Sequence, residues 1–279
     1  MNENRGWLVA CLCAALAACN SNSGGASRDG GTGGSTQNAD APAIHIDGGT
    51  VRRGTLRLVV PAYYTPGADW DRIIAASDVV GMIIFNPNNG PGVTRDPAYT
   101  AAIEKARSAG ILVLGYVATN YGNRAEADIN ADVNAYYDQY QPSGIYFAEG
   151  PMEADCTTLD PQYRRLTSLA RSRAQGTFVA IGTRFCPTFI TFSDLMVEFA
   201  EDWTTYQSYK VPEWMPAASP DRFCQFINSV PAEQASHALS TAVSYGAGWV
   251  FATDGVYPNP WGALPSYFDQ ELTAVRQLQ

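Results

Sequence analysis

From Thr55 onward, short runs of apolar and β-branched residues alternate with segments of helical periodicity, which limits the chain to repeated βα units around a parallel sheet. The runs fall at 56–60, 80–85, 111–116, 144–147, 178–181, 195–199, 223–229 and 249–253. Helices are expected over 97–109, 125–140, 161–174 and 231–245, with Gly110 and Gly246 as stops after the first and last of these. Eight strands over about 225 residues predict one closed (β/α)8 barrel of the TIM type, an architecture that usually takes ~250 residues. A doubly wound open sheet is the competing arrangement, but no glycine-rich dinucleotide fingerprint follows any strand. In such a barrel the working groups stand at the C-terminal ends of the strands.

Ahead of the barrel, Arg5 precedes an apolar run over 7–18, long enough for a signal-peptide core and too short to span a bilayer. The run ends in Leu16-Ala17-Ala18-Cys19, similar to a bacterial lipoprotein cleavage box, so Cys19 is expected to carry lipid. The alternative is an ordinary signal peptide with a chance cysteine; the Gly-, Ser- and Asn-rich stretch that follows at once favours a tethered lipoprotein. The expected organisation is therefore a signal peptide over 1–18, a flexible tether over 19–54 and the barrel over 55–279. The chain is expected to be exported and lipid-anchored in the bacterial cell envelope, in the outer membrane or at the cell surface, with membrane contact only through the lipid. Cys156, Cys186 and Cys224 remain in the barrel; the first two fall in loops and are expected to pair, the third in an apolar run and to be buried. Three free thiols is the competing reading.

The net charge of −9 argues against nucleic acid and anionic lipid as partners, and it tolerates neutral or cationic ligands. The chain has two histidines, His45 in the tether and His237 in a helix, so it supplies neither a His-rich metal centre nor a Ser-His-Asp triad. Neither a metal nor a cofactor is expected. The same shortage argues against a metal-dependent carbohydrate deacetylase.

Carboxylates are left as the acid and base groups. Glu149, Glu201 and Asp254 stand at predicted strand ends, with Asp202 beside Glu201; a capping or salt-bridged loop carboxylate is the ordinary alternative for each. Glu198 alternates to the face opposite Glu201, so both reach one cleft only through a bulge. Cleavage of a glycosidic bond needs two carboxyl groups across it. Near the same rim fall Tyr63, Tyr64, Tyr116, Tyr121, Tyr146, Trp203, Tyr257 and Trp261, whose flat faces suit sugar rings as well as core packing. Asn86 and Asn88 follow the second strand in a Pro- and Gly-rich loop, and Asn259 precedes Trp261; their amides are candidate sugar ligands.

Taken together, these blocks make the domain from about Leu58 onward resemble the spherulin-4 family of glycoside hydrolases: Val60-Pro61-Ala62-Tyr63-Tyr64, the loop 86–92, the stretch 115–122, the strand ending in Glu149, the strand ending in Glu201, Thr253-Asp254, Asn259-Pro260-Trp261 and Leu264-Pro265-Ser266-Tyr267. The resemblance implies a barrel and endo-cleavage of α-1,4-linked N-acetylgalactosamine or galactosamine polymers, such as galactosaminogalactan and other biofilm exopolysaccharides. It carries Glu149 onto the glutamate of an Asp-Glu pair ending the fourth strand, and Glu201 onto the glutamate ending the sixth. Ala148 stands where the family has the aspartate, and an alanine can neither attack nor move a proton. Three readings follow: Glu149 and Glu201 form the working pair, Asp254 or Asp202 substitutes, or a monomeric surface lipoprotein binds glycan without cutting it.

Overall fold

The structure, a computed structural model, describes residues 45–46, 49–50, 55–183 and 185–279. The expected signal peptide, the lipid-bearing Cys19 and most of the tether lie outside the described residues. Within the segment expected as plain tether, the backbones of His45–Ile46 and Gly49–Thr50 pair as a short antiparallel ribbon.

Eight parallel strands close into one barrel in chain order: β1 (Arg57–Ala62), β2 (Val80–Phe85), β3 (Leu112–Ala118), β4 (Gly144–Ala148), β5 (Phe178–Ile181), β6 (Leu195–Asp202), β7 (Phe223–Asn228) and β8 (Trp249–Ala252). The ring is sealed where β8 pairs with β1, Trp249 beside Arg57 and Val250 beside Leu58. Every residue of β2 is buried, as expected of a strand covered by the barrel interior on one face and helices on the other.

The outer layer consists of α1 (Ala68–Ala75), α2 (Pro97–Ser108), α3 (Glu126–Tyr140), α4 (Cys156–Arg173), α5 (Trp203–Tyr206), α6 (Ala235–Ser244) and α7 (Phe268–Leu278). Asp96 starts α2 by accepting from the Ala98 N–H at 2.8 Å, and Pro97 sits in the first turn, where its missing donor costs least. The α4 helix begins five residues before Pro161, upstream of the expected start. The Pro161 ring removes only the bond to the Thr157 carbonyl, so one further turn forms ahead of it.

Among the described residues of the β5–β6 crossover there is no α-helix; a 3-10 turn forms over Pro187–Thr191, with Pro187 in its first turn. Cys156 and Cys186 are joined, with Cα atoms 5.2 Å apart, tying this crossover to the start of α4; Cys224 is free and buried.

Rings from four strands meet inside the barrel. Tyr63 at the end of β1 lies 5.2 Å from Tyr116 of β3, Tyr116 6.2 Å from Tyr146 of β4, and Tyr146 6.3 Å from Phe226 of β7. Trp261, in the loop after β8, completes this plug against Phe226 and Phe251 at 5.6 and 6.2 Å. Their edge-to-face and tilted contacts are those that aromatic quadrupoles favour.

Helix α7 docks on β8 with a carboxylate in the seam. Glu271 is fully buried; its Oε1 accepts the Ala252 N–H at 2.9 Å, and its Oε2 has no hydrogen-bond partner among the described residues. Burial pushes this carboxyl up to about 8 from an ordinary 4.5, against the pull of the backbone donor. The folded protein thus keeps a proton that the unfolded chain releases, and stability is lost as pH rises from about 4.5 through about 8. Denaturant unfolding of Glu271→Gln across this range is expected to show a flatter pH dependence than wild type; parallel curves would show that Glu271 does not carry the linkage.

Candidate active site

The mouth at the C-terminal ends of the strands is organised around the residue that follows β4. Glu149 adopts a left-handed backbone, φ 55°, and so do Asn120 and Tyr121 of the β3–α3 loop, with φ 48° and 55°. Such conformations cost a non-glycine residue on the order of 1–3 kcal/mol and persist only where the surroundings impose them. Here the two strained segments hold each other. The Glu149 carbonyl accepts from the Tyr121 N–H at 2.7 Å and lies 2.7 Å from the Thr119 hydroxyl. The Ala148 carbonyl accepts the Thr119 N–H at 3.0 Å, and the Tyr163 hydroxyl lies 2.6 Å from that of Thr119. On the far side, the Gly150 N–H donates to the Gly182 carbonyl at 2.8 Å.

The result aims the Glu149 side chain into solvent at the mouth, with donors on both carboxylate oxygens. The Tyr116 hydroxyl donates to Oε1 at 3.4 Å and the Asn120 N–H to Oε2 at 3.2 Å. Burial raises the phenols of Tyr63, Tyr116 and Tyr146 well above the ordinary tyrosine value, and the Glu149 charge adds to that shift in all three. They remain donors throughout the working pH range.

Glu201 is half-buried within the last turn of the sheet, since β6 runs on to Asp202 instead of ending before the glutamate. The strand carries a bulge at Glu198, between Val197 and Phe199. Glu198 nonetheless faces the helix layer. It is buried, accepts the Gln225 amide at 2.6 Å and the Tyr209 hydroxyl, and Gln225 in turn accepts from Tyr206 of α5. This carboxylate belongs to the packing between barrel and helices.

Several expected ligands make structural contacts of their own. Asp202 caps α5 by accepting the Thr205 N–H at 2.8 Å, and Asp254 accepts both the N–H and the hydroxyl of Ser266. Trp203 is buried against Tyr206 and His237 in the outer layer, with ring centroids 5.9 Å from each, and offers no face to a sugar. Its position in α5, after the strand has ended, turns it away from the mouth. The Asn86 oxygen accepts the Gly90 N–H at 2.7 Å and closes its own loop, which leans on α3 through the Gln139 amide and Gly92 carbonyl. Asn88 is exposed on that loop. Tyr63 and Trp261 are half-buried parts of the aromatic plug, Tyr116 is nearly covered, and Tyr121 and Asn259 are exposed.

Asn228, at the end of β7, was not among the expected residues, and Tyr257, in the loop after β8, was expected only as one of several rim aromatics. Tyr257 is 61% exposed, and burial of its phenol together with the charges of Glu201 and Asp202 raises its pKa. Tyr257 is legible as a rim aromatic, but no local signal separates it from the others. A cleft of about 360 Å³, lined by Glu153, Phe185, Pro187, Lys210, Pro212 and Trp214, opens among the loops after β4, β5 and β6. None of the expected sugar ligands lines it.

Residues 57–275 match the model of the spherulation-specific family 4. The chain is 31% identical over 255 residues to Spherulin-4 of Physarum polycephalum, covering 86% of this chain and 76% of that protein. Among solved structures, Sph3 of Aspergillus clavatus, determined in complex with GalNAc, superposes with a TM-score of 0.69 at 23% identity, over 83% of this chain and 99% of that one. A chitinase from Chromobacterium violaceum superposes with a TM-score of 0.54 at 11% identity, over 80% and 98% respectively. At these identities the two structures establish a shared barrel.

The tight approach beside Glu149 is testable. A Cβ on Gly150 would stand 2.5 Å from the Gly182 carbonyl oxygen and 3.2 Å from the Thr183 Cβ, so the backbone after Glu149 would have to move. Gly150→Ala is expected to destabilise the protein by about 1–3 kcal/mol in denaturant unfolding; an unchanged midpoint would mean that the approach is not constraining.

Proposed function

The chain belongs to the spherulation-specific family 4, and on that premise we propose that it is an endo-acting glycoside hydrolase that cleaves an α-1,4-linked polymer containing N-acetylgalactosamine or galactosamine. The observation that carries the reading is Glu149: an exposed carboxylate on strained backbone at the barrel mouth, with a phenol and a backbone N–H on its two oxygens. Placing such a group costs stability, which is the pattern of a working residue rather than of a packing one. The GalNAc held by Sph3 supports the choice of sugar, and the acidic surface suits a partly deacetylated, cationic polymer.

In this reading the glycosidic C–O bond breaks between Glu149 and Glu201. Glu201 gives its proton to the departing oxygen. Glu149, whose two oxygens both accept hydrogen bonds, serves as the carboxylate that attacks the anomeric carbon or draws a proton from water. Water supplies the hydroxyl of the new reducing end and restores the proton. The biofilm matrix is the proposed setting, and export followed by lipidation at Cys19 the proposed route to the cell envelope.

A second reading rests on Ala148. It is nearly buried and occupies the residue before Glu149, where the family resemblance implies an aspartate, and a barrel lacking that group would hold the glycan without cutting it. Incubating the protein with acetylated and deacetylated α-1,4-galactosaminans separates the two. Cleavage is expected to release new reducing ends, with Glu149→Gln and Glu201→Gln each lowering kcat by about a hundredfold or more. Binding without reducing ends, and cleavage gained in Ala148→Asp, would establish the second reading. Neither binding nor cleavage would remove both.

A further inference from the structure

Asn228 is fully buried at the C-terminal end of β7, in register with Asp202 and one residue beyond the Ile227 that pairs with Glu201. Its Oδ1 accepts the Ser229 hydroxyl at 3.0 Å. Its Nδ2 has no hydrogen-bond partner among the described residues, although it is sealed from solvent. A buried donor left unmade costs on the order of 1–3 kcal/mol, so any contact that completes the hydrogen bond of this amide is favoured by about that amount. The neighbouring group is the Tyr257 phenol, on which Asn228 acts as a donor without completing a bond of normal geometry. The loop carrying Tyr257 is anchored to the end of β7 by the Ser229 N–H to the Gly255 carbonyl at 2.9 Å and the Val230 N–H to the Thr253 carbonyl at 2.9 Å.

We propose that Asn228 and Tyr257 form a substrate-positioning relay, in which the Asn228 amide donates to the phenol oxygen and the phenol hydroxyl donates to an oxygen of the sugar bound beside Glu201. The chemistry fixes the polarity. An amide NH2 can only donate, so a phenol oxygen that accepts from it must direct its own hydrogen elsewhere. Burial of the phenol, with the Glu201 and Asp202 charges adding to it, keeps that hydrogen on the oxygen. Tyr257 is 61% exposed, so a sugar hydroxyl or acetamide oxygen can reach it, accept the bond and draw the ring onto the amide. Tyr257 then touches substrate, whereas Asn228 acts through it.

This inference rests on the glycan reading of the site, and the test separates the two. Affinity for α-1,4-linked N-acetylgalactosamine oligosaccharides is measured by calorimetry, with reducing ends followed in parallel, for wild type, Tyr257→Phe, Asn228→Ala and the double variant. Tyr257→Phe keeps the ring and, being at an exposed position, the fold. It is expected to weaken binding about tenfold and to raise KM in proportion, with kcat changing by less than about twofold. Asn228→Ala is expected to do the same, and the double variant to be no worse than either single one, because both remove one relay. A merely structural Asn228 would instead give additive losses. Wild-type affinity in Tyr257→Phe, or additivity in the double variant, would overturn the relay while leaving the glycan reading intact. A wild type that neither binds nor cleaves would overturn both.

Discussion

The mouth of this barrel depends on one backbone clasp. The Glu149 carbonyl meets the Tyr121 N–H and the Thr119 hydroxyl, and by that contact two segments with unfavourable backbone angles keep each other in place. Asparagine tolerates the left-handed region, so Asn120 has a local reason for its conformation, but Tyr121 and Glu149 have none. The buried Thr119 and the Tyr163 hydroxyl beneath it supply the reason from outside. Loosening that base would let Glu149 relax into an extended backbone and turn its carboxylate away from Tyr116 and Asn120.

Below the clasp, the barrel solves a filling problem with aromatic rings. Tyr63, Tyr116, Tyr146, Phe226, Trp261 and Phe251 run across the interior from β1 to β8, so that large apolar faces close the space under the mouth. The three tyrosines bring hydroxyl groups into this packing, and Tyr116 turns its own onto Glu149. Packing and polarity are served by the same side chains: the rings hold the barrel at native density and their edges present donors where a carboxylate has to be oriented.

The architecture was legible in the sequence because strand number and spacing are local properties. Eight apolar runs with helices between them admit few closed arrangements, and the loop positions expected for Cys156 and Cys186 made them the natural pair for a bridge, although Cys156 in fact opens α4. The strand ends bearing Glu149 and Glu201 were legible for the same reason. Side-chain direction near those ends was less so. Trp203, one residue past the end of β6, lies in a short helix facing outward; Asp202 and Asp254 have carboxylates that cap a helix and a loop. Whether a carboxylate at a strand end caps the backbone or stays available depends on which N–H groups the next few residues present, and alternation alone does not encode that.

From the sequence alone follow the closed parallel barrel, the shortage of histidine that leaves chemistry to carboxylates, and the alanine before Glu149, since each is a matter of residue type and order. The tertiary structure decided that Glu198 belongs to the outer packing, that Asp202 and Asp254 each cap a neighbouring segment, and that Asn228 is sealed at the end of β7, to which the loop carrying Tyr257 is anchored. These are, the Asp202 cap apart, contacts between segments far apart in the chain. They depend on a bulge, on register between neighbouring strands and on a left-handed tyrosine and glutamate that no local propensity favours, so they arise only once the ring of strands has closed.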